Sequence, residues 1–79
     1  MSEARRPHIA YGNESTIRVE IADMLGMAKH YIILAQDAVM IPDDPLFRYA
    51  RKAAVAHFKC ALGFAIDLEK AKEERARDE

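Results

Sequence analysis

Tryptophan is absent from this chain, cysteine occurs once, and glycine and proline occur three times each in 79 residues. A single thiol, Cys60, excludes an internal disulfide. A chain this short buries too little surface to be more than marginally stable alone, and of the usual supports (disulfides, a metal or a partner chain) oligomerisation is the one expected here. Three isolated glycines build no phosphate-cradling loop. Ser2 and Ser15 are the only serines, and neither sits in a nucleophile elbow or a triad-like order. Charges interrupt every apolar stretch well short of the about 20 residues that cross a bilayer. Arg5 and Arg6 have no apolar run behind them, so the N-terminus does not read as a signal peptide. Twelve Lys and Arg against thirteen Asp and Glu leave no global basic footprint for nucleic acid or anionic membrane. A soluble, cytoplasmic protein is the expectation.

What is present is helical periodicity. Residues 1–16, with Pro7, Gly12 and Asn13, show no period and read as a flexible N-terminal arm; Ile9 and Tyr11 are its candidates for docking onto the body. From about residue 17 to 40, Ile21, Met24, Leu25, Ala28, Tyr31, Ile32, Ala35, Ala38 and Val39 recur at three and four residues, which predicts one apolar helix face. Ser15 or Thr16 is the expected cap. Gly26 inside this run marks a tight contact or a break. Residues 41–45, Ile-Pro-Asp-Asp-Pro, are the clearest punctuation. Pro42 biases Ile41 away from helical dihedrals, Asp43 or Asp44 can cap, and Pro45 suits a first turn.

A second helix is predicted over about 46–76. Phe47, Ala50, Ala54, Phe58, Ala61, Ala65 and Leu68 form its central stripe, flanked by Leu46, Ala53, Cys60 and Phe64 on one side and Val55, Leu62 and Ile66 on the other. Lys52, Lys59 and Lys70 mark a solvated back. The fold class is therefore all-α: an antiparallel helical hairpin, with a charged tail from Glu69 that pairs Lys70 with Glu73 and Glu74 and frays toward its end. The apolar arc of the second helix exceeds what one neighbour covers. The surplus predicts a homodimer closing into a four-helix bundle.

Chemical constellations are sparse. His57 and Cys60, three apart on one helix, present two potential ligands, but structural zinc normally takes four, so the plainer reading is a packed histidine and a small buried thiol. Arg51 and His57 faintly resemble the Arg–His pair of small helical ribonucleases, on two common residues in a chain short for that fold. No catalytic residue, metal or cofactor is expected, and the protein is not expected to be an enzyme. The segment Glu20 to Ala35, with Ala22 four before Gly26, matches a DNA-binding helix-turn-helix in which Gly26 makes the turn. Against it, the would-be recognition face carries Tyr31, Ile33 and Leu34 where base- and phosphate-contacting groups belong.

The stretch Ala53 to Asp67, with its Ala56-His57-Phe58 step followed by small and aliphatic residues, resembles small two-helix proteins of pseudomonads and their phages. Quorum-sensing antiactivators share that helical-hairpin build. The resemblance covers about residues 17–70 and implies a regulator that binds a LuxR-type transcription factor and blocks it. The expected contact residues are Tyr31, Ile33 and Leu34 on the first helix and Val55, Phe58, Leu62 and Ile66 on the second. The partner is expected to be a protein rather than nucleic acid or membrane. A structural bundle subunit of a larger assembly is the remaining alternative.

Overall fold

Two helices account for the chain over residues 13–78, which are those described by the structure, a computed structural model. They are α1 (Glu14–Met40) and α2 (Asp44–Asp78). The all-α antiparallel hairpin is as the periodicity predicts. The arm expected over residues 1–16 falls outside the described residues as far as residue 12.

Helix α1 begins earlier than the apolar spacing suggests, because Asn13 caps it. The Asn13 side-chain oxygen accepts the Thr16 N–H at 3.1 Å, and its carbonyl accepts the Ile17 N–H at 3.1 Å. Ser15 and Thr16, the expected caps, therefore lie inside the first turn, where Glu14 favours the positive end of the helix dipole. The helix runs unbroken through Gly26. The turn that a DNA-reading helix-turn-helix needs at that residue is not there.

The hairpin joint is three residues long, 41–43. Ile41 leaves the helix at φ −90° and ψ 14° while its N–H still reaches the Asp37 carbonyl. Pro42 has no N–H to offer, and the Asp43 N–H closes the end on the Ala38 carbonyl at 2.8 Å. Asp43 then caps α2. Its carboxylate accepts the Leu46 N–H at 3.1 Å and its carbonyl the Phe47 N–H at 2.9 Å.

Helix α2 has 35 residues, a length of about 52 Å at the standard rise. That matches the longest dimension of the molecule, 55 Å, whereas the shortest is 13 Å. Among the described residues the hairpin is thus one helix thick, and each helix has a single neighbour. The seam between them is built from alanine. Ile17, Ala28 and Ala38 on α1 and Ala50, Ala54, Ala61 and Ala71 on α2 are buried, and Ile17 alone among them is large. Small residues let the backbones approach, and Met24, Tyr31, Leu34, Leu46, Phe64 and Leu68 lie half-buried alongside.

This seam corrects several expectations. Phe58, placed in the central stripe of the second helix, is 48% exposed. Leu25, Ile32 and Val39, placed on the inward face of the first, are exposed as well. The reason is angular: a single neighbour covers little more than a 100° stripe, and the apolar arcs are wider. Cys60 is exposed rather than buried. The tail is not a free extension either. Ala71 is buried against the hairpin, and Arg75 meets Glu14 across the seam at 3.1 Å. Among the described residues of the tail the ion pairs are Glu69–Lys72 and Glu74–Arg77, in place of the expected Lys70 pairing.

Candidate protein-interaction surface

With the seam fixed, the wheel of each helix gives direction to the residues left outside it. On α1, Leu25, Ile32 and Val39 recur every seven residues and lie about 80° to one side of the buried direction. On α2, Phe58, Leu62, Val55 and Ile66 lie roughly 80–160° around from it. Because the helices run antiparallel, both stripes turn toward the same broad side of the hairpin. These seven side chains are between 43% and 59% exposed. Fully burying a large aliphatic side chain is worth about 1.5–3 kcal/mol, so covering their open halves offers roughly 1 kcal/mol apiece, comparable with each alanine methyl in the seam. Large exposed apolar side chains grouped on one side are characteristic of contact surfaces, which makes this side the candidate.

The border of this side is cationic toward the hairpin joint. From Pro45 to Ile66, α2 carries Arg48, Arg51, Lys52 and Lys59 and no carboxylate. Arg51 sits over the Phe47 ring at 5.3 Å, one turn away. Arg51, Lys52, Val55, Ala56 and Lys59 line a shallow open depression of about 420 Å³. Beyond Ile66 both signs occur, with Glu69 and Glu73 on the same stripe and Lys70, Lys72, Arg75 and Arg77 around it.

The opposite broad side differs in character. Tyr31 spans the seam and stacks on His57, with ring centroids 5.3 Å apart and planes at 21°. Tyr49 and His30 meet Tyr31 edge-on at 6.0 and 5.0 Å. The His57 Nδ1 lies 2.8 Å from the Ala53 carbonyl oxygen. A carbonyl only accepts, so Nδ1 carries the proton and the ring is held along its own helix. The Tyr49 hydroxyl raises the Tyr31 phenol above its ordinary pKa, by hydrogen bonding first and by charge repulsion second. No group of three or more His, Cys, Asp or Glu among the described residues is placed to hold a metal ion. None of the described helices is long and apolar enough to cross a membrane.

The seven residues predicted from sequence therefore divide. Val55, Phe58, Leu62 and Ile66 share the open apolar side. Tyr31 belongs to the aromatic cluster in the seam, Leu34 is half-buried on the opposite side, and Ile33 stands exposed on the outer edge of α1. The α1 residues that do complete the surface, Leu25, Ile32 and Val39, carried a readable signal in their seven-residue spacing. No protein-family model matches this chain, nor does any curated protein or solved structure.

Proposed function

We propose that this chain is a small regulatory binding module that acts by covering part of a protein partner with its open apolar side. One observation carries the reading: seven large side chains from both helices share one side of a hairpin that is too thin to bury them. The partner supplies a complementary apolar groove or helix, with Phe58 and Leu62 at the centre as anchors. Within this reading the resemblance to two-helix regulators points to an antiactivator that occludes a LuxR-type transcription factor in the cytoplasm. The absence of a turn at Gly26 weighs against DNA as the partner.

Affinity capture from the native cytosol tests it, comparing wild type with the Leu62→Glu, Ile66→Glu double variant. A protein recovered by the wild type and lost by the variant, at unchanged helicity in circular dichroism, supports the proposal. Identical recovery by both counts against it, and recovery of the chain alone favours a structural bundle subunit. For the finer reading, the protein should abolish the gel shift of a LuxR-type factor on its operator. Alone, it should shift no DNA at low or high salt.

A further inference from the structure

We infer that in the free protein the open apolar side is closed by a second copy of the chain, with α2 packed antiparallel on its two-fold mate. The inference rests on the contact-surface reading above and names an occupant for that surface. Its ground is a self-complementary pattern along one stripe of α2. Arg48, Arg51, Val55, Phe58, Leu62, Ile66, Glu69 and Glu73 follow one another at three- and four-residue intervals. Laid antiparallel on itself about the level of Cys60, this stripe sets Phe58 against Leu62 and Val55 against Ile66. The same register sets Arg51 against Glu69 and Arg48 against Glu73.

Each contact occurs twice, as a two-fold axis demands, because residue i meets j and j meets i. Apolar residues meet in the middle and opposite charges meet at both ends. A heterologous partner would give no reason for the two ends of one stripe to carry opposite signs at matching distances from its centre. The Glu69 side chain is 67% exposed beside Lys72, so it remains open to a second cation. The same axis brings the Leu25 and Ile32 stripes of the two α1 helices together, which yields a four-helix bundle. The aromatic cluster and Cys60 face away from the contact.

Charge reversal tests the register. By sedimentation equilibrium the full-length wild type should have twice the monomer mass. Arg51→Glu alone and Glu69→Arg alone should each weaken the dimer on the order of tenfold at low salt, because two symmetric attractions become repulsions. An equimolar mixture of the two variants should regain wild-type affinity, since both pairs then join a carboxylate to a guanidinium. Misfolding could not produce that rescue, and circular dichroism of each variant checks helicity. Leu62→Glu should abolish the dimer. A monomeric wild type, single variants that pair like the wild type, or a mixture that fails to recover would each overturn the inference. Partner capture is read separately, by the affinity comparison above, so failure of the dimer and failure of the contact-surface reading are distinguishable.

Discussion

At the scale of single residues, the most particular feature is the Tyr31–Tyr49 pair. The Tyr49 hydroxyl favours the neutral Tyr31 phenol in the folded hairpin. A group whose folded pKa lies above its unfolded value adds stability below the unfolded value, about 10 for tyrosine, and loses it as pH rises through the folded one. Alkaline pH should therefore destabilise the wild type more than Tyr31→Phe. Tyr49→Phe should lower the Tyr31 midpoint toward the ordinary value, followed by carbon NMR of the ring. An unmoved midpoint in Tyr49→Phe would refute the assigned cause. Asp43 offers a second residue-scale test. Its carboxylate satisfies the Leu46 N–H at the start of α2, and removing a helix cap costs about 1 kcal/mol. Asp43→Ala should lower the melting temperature accordingly while Asp44→Ala leaves it nearly unchanged.

At the scale of the helix, periodicity and punctuation made both elements and the joint legible, since Pro42 and Asp43 do what their chemistry dictates. The starting residue was less legible, because Asn13, Ser15 and Thr16 are all competent caps and only the backbone decides among them. The seam was harder still. A wheel counts alanine and leucine alike as apolar, yet close approach of two helices selects the alanines and pushes Phe58 and Leu25 to the flanks. Gly26, which the sequence left as either a contact or a break, is neither. A β-carbon at Gly26 or Gly63 would meet nothing within 4 Å. Alanine should thus stabilise either helix by about 0.5–1 kcal/mol through propensity alone. Denaturant unfolding of Gly26→Ala and Gly63→Ala measures this, and destabilisation would show that the glycines serve a contact outside the isolated hairpin.

At the scale of the whole molecule, the surplus of apolar perimeter was visible in the sequence, but its direction was not. That required knowing which sector of each helix faces the other, after which the antiparallel arrangement places both surpluses on one side. Self-pairing and partner binding, as proposed, draw on the same Phe58, Leu62 and Ile66, so a hairpin engaged by one is closed to the other. Apparent affinity for the partner is then reduced by the fraction of chains held in dimers. Because free monomer then rises more slowly than the total, titration with wild type should be shallower than a simple hyperbola, and Arg51→Glu, which opens the dimer without removing an apolar anchor, should reach half-occupancy at a lower total concentration. Titrating a fixed trace of partner against wild type and against Arg51→Glu reads both effects. If the two titrations coincide while sedimentation shows the variant to be the weaker dimer, the partner uses another surface, and the aromatic side around Tyr31 and Tyr49 becomes the place to test next.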